Sequence, residues 1–133
     1  MTVSLTRRHL LAASAAGTAM LAAPAIVRAS SEINLYSSRH YDTDEVLYTN
    51  FTKMTGIGIN RIEAKAGELI ERLKAEGKRT PADVLMTVDA GNLWHAANEG
   101  MLRQVTSDVL DRNIPGFLKD KHNRWFGLSL RAR

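Results

Sequence analysis

The 133-residue sequence contains no cysteine. Disulfides, thiolate metal sites and cysteine nucleophiles are therefore excluded. No GxGxxG or Walker-type loop is present to cradle a phosphate, and Gly56-Ile57-Gly58 opens a strand pattern, the wrong place for one. HExxH and GxSxG are also missing, so zinc-protease and nucleophile-elbow chemistry have no carrier. Tyrosine is scarce: only Tyr36, Tyr41 and Tyr48 occur. No repeat or low-complexity tract appears outside the N-terminus.

A long uninterrupted apolar run is lacking too. The best, Leu10 to Ile26, is broken by Ser14, Gly17, Thr18 and Pro24 and is short for a bilayer span. Arg7 and Arg8 stand directly before it, and Val27-Arg28-Ala29 ends it with small residues at the positions a signal peptidase reads. Paired arginines ahead of such a run mark the twin-arginine export route; an ordinary secretory signal with incidental arginines is the alternative. Residues 1–29 are read as this signal, so the mature chain is expected outside the cytoplasm, without stable membrane insertion. Three of the 18 basic residues and none of the 14 acids fall in the signal, leaving 15 against 14. The sequence pI near 9.7 thus gives no reason to expect nucleic acid as a partner. Residues 30–133 are long enough for one modest core, hence one domain or part of one.

The rest alternates strand and helix signals. Ile33 to Tyr36 reads as a buried strand. Asp42 with Glu45 resembles a capping box, Val46, Leu47, Phe51 and Met54 share a helical face, and Gly56 supplies a stop. Ile57, Ile59 and Ile62 suggest a second strand. Glu68 to Glu76 reads as a second helix, with Leu69, Ile70 and Leu73 inward and Glu68–Arg72 as an i,i+4 pair. A third strand spans Asp83 to Val88, and Asp89 is placed to cap a third helix, Asn92 to Glu99. Thr106 to Lys121 suggests a short helix and loops, and Trp125 to Arg133 a further strand. Trp94 and Trp125 are expected in the core or a cleft wall.

Such alternation predicts an α/β fold, a parallel sheet flanked by helices, with ligands at the carboxyl ends of the strands. That edge gathers Ser37 to Tyr41, Ala64 to Gly67 and Thr87 to Gly91. Here Arg39, His40 and Tyr41 arrive side by side. A tyrosine at a strand end commonly packs or caps, and a lone histidine commonly makes a hydrogen bond. Chemistry also admits a metal, because a hard ferric ion prefers anionic oxygen and makes phenolate accessible far below the usual tyrosine pKa. His95 and His122 have no spacing that implies a shared ion.

Four stretches carry a resemblance: "INLYSSRHYDTDEVLYTNFTKMTGI", "IEAKAGELIERLKAEG", "PADVLMTVDAGNLWHAANEGML" and "RWFGLSLRAR". They resemble the amino-terminal part of periplasmic ferric-iron-binding proteins, the solute-binding components of bacterial ABC importers. The most specific pieces are "SSRHY" and "GLSLRAR". The resemblance implies a bilobal solute-binding fold, of which residues 30–133 would be the N-terminal part of the first lobe. It implies Fe3+ as the transported ligand, delivered to a membrane permease with a cytoplasmic ATPase, by a protein that is monomeric when complete. Carried over by position, the ligands here are His40 and Tyr41, with Arg131 and Arg39 as charge-balancing cations. The family's later tyrosines have no counterpart in this sequence, which is read as an N-terminal fragment.

Two other readings stay open. A solute such as a polyamine or an anionic metabolite could occupy the same lobe, although a polyamine would call for acids and aromatic walls where Arg39 and Arg131 stand. An exported hydrolase would need Ser37 or Ser38 beside His40, and no acid is placed to orient that imidazole. The expectation is a binding protein, not an enzyme.

Overall fold

The computed structural model describes residues 31–130. The signal reading, with Arg7 and Arg8, and the site candidate Arg131 lie outside them. In chain order the described elements are β1 (Glu32–Ser37), α1 (Asp42–Thr55), β2 (Gly58–Glu63), α2 (Ala66–Glu76), β3 (Val84–Met86), α3 (Ala90–Asn98) and α4 (Asp108–Asn113). Short 3-10 turns follow at Gly77–Arg79 and Gly116–Leu118. The three strands form one parallel sheet in the order β2-β1-β3.

Alternation along β1 splits the sheet into two faces. Tyr36 pairs in register with Ile62 and Leu85, and these three face α2. Against them pack Leu69 and Leu73, which makes this the apolar core. Inward placement of Leu69, Ile70 and Leu73 is as the periodicity of α2 requires. Tyr36 is fully buried, and its hydroxyl donates to the Glu76 carboxylate at 2.8 and 3.0 Å. Glu76 also accepts from Arg72 Nε and Thr80 Oγ1. Its carboxyl is held below the usual range, chiefly by the Thr80 and Arg72 hydrogen bonds, while burial pushes the Tyr36 phenol up. Tyr36 is therefore a core tyrosine.

The opposite face carries Leu35 and Ser37 of β1 with their register partners Arg61 and Glu63 of β2 and Met86 of β3. Helix α1 covers this side, and it does so differently from the periodicity reading. Val46, Leu47 and Met54 are exposed, at 63%, 55% and 85%, whereas Asp44 and Tyr48, one turn apart, are buried. The helix is turned so that its inward line meets Arg39 of the loop after β1, Arg61 of β2 and Met86 of β3.

Several local expectations hold. Gly56 ends α1 with φ 72°, a left-handed conformation that costs glycine nothing, and its N–H closes onto Thr52 O. Asp89 caps α3, accepting from Asn92 N at 2.9 Å. Others change. Tyr41, not Asp42, is the N-cap of α1, so the capping box does not form and Asp42, Asp44 and Glu45 all lie in the first turn. Arg72 pairs with Glu76 instead of Glu68. The third strand is only Val84–Met86; Asp83 still donates its N–H to Asn34 O at 2.9 Å, while its carboxylate accepts from Asn34 N at 2.8 Å. Among the described residues no strand runs from Trp125: one antiparallel bridge, Phe126 to Lys119, is formed, and Leu128 and Leu130 are exposed. Strand propensity there finds no ladder partner among the described residues. Trp94 is 59% exposed, so it is not a core residue.

Candidate functional site

All three strands end on one edge, and the loop after β1 is pinned there. Ser37 Oγ accepts from Arg39 N and donates to Arg39 O, both at 3.1 Å, while Ser38 N donates to Met86 O at 2.9 Å. The two serines thus belong to a fixed turn, with one hydroxyl clasping the backbone. Ser37 Oγ and the hydroxyl of Ser38 are buried, which leaves no exposed serine nucleophile beside His40.

The turn delivers Arg39, His40 and Tyr41 together, as the sequence predicts. The His40 and Tyr41 rings stack with centroids 5.8 Å apart and planes 21° from parallel. The Arg39 guanidinium lies over the Tyr41 ring at 5.2 Å, a cation–π distance. His40 is exposed and Tyr41 half-buried.

Arg39 is itself held. Its Nε and Nη2 donate to the two carboxylate oxygens of Asp44, each at 2.9 Å, in a bidentate fork. The Arg39 hydrogen bonds hold the Asp44 carboxyl below the usual carboxylate range, and Asp44 raises the guanidinium in turn. Beneath them, Arg61 stacks over Tyr48 at 4.8 Å, pairs with Glu45 and lies 3.4 Å from Glu63. The Glu45 hydrogen bond is the main cause that raises Arg61. Tyr48 Oη is 3.7 Å from Met86 Sδ.

These side chains line a cleft of about 120 Å3, formed by Arg39, His40, Tyr41, Asp44, Tyr48 and Arg61 with neighbouring acids. Asp44, Tyr48, Arg61 and Glu63 were not singled out from sequence. A signal existed: Arg61 and Glu63 are polar at alternate positions of a strand expected to be covered, and Asp44 and Tyr48 are one helical turn apart.

Chemically, the edge offers the Tyr41 phenol and the His40 imidazole beside a cleft that Tyr48 also lines and in which Arg39 and Arg61 are paired with acids. Among the described residues no group of three or more His, Cys, Asp or Glu could hold a metal. A hard trivalent ion bound here would take Tyr41 as an oxygen donor and would need further oxygens from elsewhere. The donor set fits part of a ferric site.

No family model matches the sequence. Individual proteins do. "Iron uptake protein A1" of Synechocystis sp. is 54% identical over 102 residues, covering 77% of this chain and 28% of that protein. A solved Trichodesmium FutA, in complex with iron and citrate, matches with TM-score 0.71 and 55% identity over 73% of this chain and 31% of that one. The ferric binding protein from Campylobacter jejuni matches with TM-score 0.70 and 46% identity over 71% and 30%.

This chain is a homologue of these iron-uptake and ferric-binding proteins. It spans about 30% of the length of the relatives it matches. Its helix-flanked parallel sheet is the fold of the matching part of the solved structures, as expected for one lobe of a solute-binding protein.

Proposed function

We propose that this chain supplies the first-lobe share of a ferric-iron site in an exported iron-binding protein. Tyr41 is the phenolate donor and His40 its neighbouring donor, with Arg39 and Arg131 offsetting phenolate charge. The protein passes Fe3+ to an ABC permease driven by a cytoplasmic ATPase. Residues 1–29 direct it to the periplasm by the twin-arginine route, and residues 30–133 begin its first lobe. Carriage of a cargo ion, not catalysis, is its role.

The observation that carries this reading is the fixed Arg39-His40-Tyr41 turn on the ligand-binding edge of a chain so similar to iron-uptake proteins. A hard trivalent cation rewards anionic oxygen, and a phenolate beside a guanidinium is more easily formed. An anionic metabolite is less well served, because Arg39 and Arg61 already commit N–H donors to the carboxylates of Asp44 and Glu45.

The test is ferric titration of the complete protein against citrate, followed by the visible phenolate-to-iron absorption band. Wild type is expected to bind one ion per chain with colour, and Tyr41→Phe to lose affinity and shift or weaken the band. An unchanged band and affinity in Tyr41→Phe would mean that Tyr41 is not a ligand.

A further inference from the structure

Asp44 presents a physical puzzle. The first turn of α1 already has Asp42 and Glu45, both exposed, to complement the helix dipole. A third acid in that turn is buried, although desolvating a carboxylate is unfavourable unless it is well paired. Its pairing is the two-toothed fork to Arg39, with both contacts at 2.9 Å. The Arg39 guanidinium also lies over the ring of Tyr41 at 5.2 Å.

The backbone of Arg39 is fixed by the Ser37 hydroxyl, and the far end of its side chain by Asp44. Two of its three guanidinium nitrogens are committed to the carboxylate. The guanidinium carbon is held over the phenol ring, 5.2 Å from its centre, and the fork restrains it from swinging to the phenol oxygen, where it would compete with a cation. A loose arginine could do either.

From this chain of contacts we infer that Asp44 is a positioning residue: it locks Arg39 against the Tyr41 ring and so fixes the phenol for ferric iron. The inference rests on the reading of Tyr41 as a ligand. Asp44 does not touch the ion; it acts through Arg39. Partners that orient metal ligands typically alter affinity by about 10–100-fold when removed, which sets the expected scale.

The experiment uses the complete protein in four forms: wild type, Asp44→Ala, Arg39→Ala and the double variant, with Asp44→Asn as a same-size control for folding. Ferric affinity is measured by citrate competition. Each single alanine variant is expected to bind iron about tenfold or more weakly, and the double variant no more weakly than Arg39→Ala alone. Were Asp44 contributing only its charge to a nearby cation, its removal would cost the same with or without Arg39, and that additivity would overturn the proposal.

A second readout needs no iron. With 3-fluorotyrosine incorporated, the fluorine resonance assigned to position 41 by its loss in Tyr41→Phe should move in Asp44→Ala and Arg39→Ala alike, and no further in the double variant. A resonance unmoved by Asp44→Ala, in protein that unfolds like wild type, also overturns the clamp. Failure of the parent reading has a separate signature. If Tyr41→Phe keeps the visible band, Tyr41 is not a ligand, while the fluorine shift still decides whether Asp44 holds Arg39 on the ring.

Discussion

Two of the three tyrosines should respond in opposite ways to the loss of one oxygen. In Tyr36→Phe the ring remains between Leu69 and Leu73, so the packing contribution of the core is kept. What is lost is the hydroxyl's hydrogen bond to Glu76. Glu76 keeps Arg72 and Thr80, so no charge is stranded and the larger cost of an unpaired buried ion does not arise. The net loss is that of one hydrogen bond to a charged group, about 1.5–3 kcal/mol. With a urea m-value of about 2 kcal/mol/M, the unfolding midpoint of the complete protein should fall by about 0.8–1.5 M, with m unchanged. Iron affinity and colour should stay as in wild type, because Tyr36 faces α2 on the side of the sheet away from the cleft. Tyr41→Phe reverses the pattern, with stability within about 0.5 kcal/mol of wild type and weakened iron binding. The assays are urea unfolding of the apo protein and citrate competition of the loaded one. Loss of the iron band in Tyr36→Phe at unchanged stability would refute the assignment of the two tyrosines.

Asp89→Ala removes the N-cap of α3 and should lower stability by about 1 kcal/mol, with Asp89→Asn costing less, as read from thermal or urea unfolding. Asp120 is held well below the usual carboxylate range, chiefly by Arg124, so its stabilising contribution is full above the unfolded aspartate pKa of about 4. That contribution is lost as pH falls toward the depressed folded value, so Asp120→Asn should be less stable at pH 7 and show a shallower acid limb. Arg131→Ala should weaken ferric binding more than Arg133→Ala in the same titration, and the reverse order would count against Arg131 as the charge-balancing cation. Replacing Arg7 and Arg8 together by lysine should block periplasmic delivery, measured by cell fractionation, and normal delivery would exclude the twin-arginine route.

Local chemistry was readable along the chain. Gly56 and Asp89 punctuate helices through properties of their own, a permissive φ and a short acceptor, which tertiary context need not supply. The 3.6-residue period of Leu69, Ile70 and Leu73 fixed the inward face of α2, because that face meets a purely apolar patch. Strand–helix alternation was enough to bring the ends of β1, β2 and β3 to one edge, and with them Arg39, His40 and Tyr41. The motif around them also pointed to ferric-binding proteins before any geometry was known. Tertiary structure decided the rest. Only the register of β2 against β1 puts Arg61 beside Leu35 and Glu63 beside Ser37, and only the charged groups on that side explain why α1 buries Asp44 and Tyr48 while Val46, Leu47 and Met54 face water. Hydrophobic periodicity scores a helix as though its partner were oil. Here the partner offers a guanidinium from a loop and another from a strand, and paired charges and ring contacts outweigh the apolar stripe. Among the described residues the strand expected from Trp125 does not form for a related reason, since β structure is made by a neighbour's hydrogen bonds and the bridge described here joins Phe126 to Lys119.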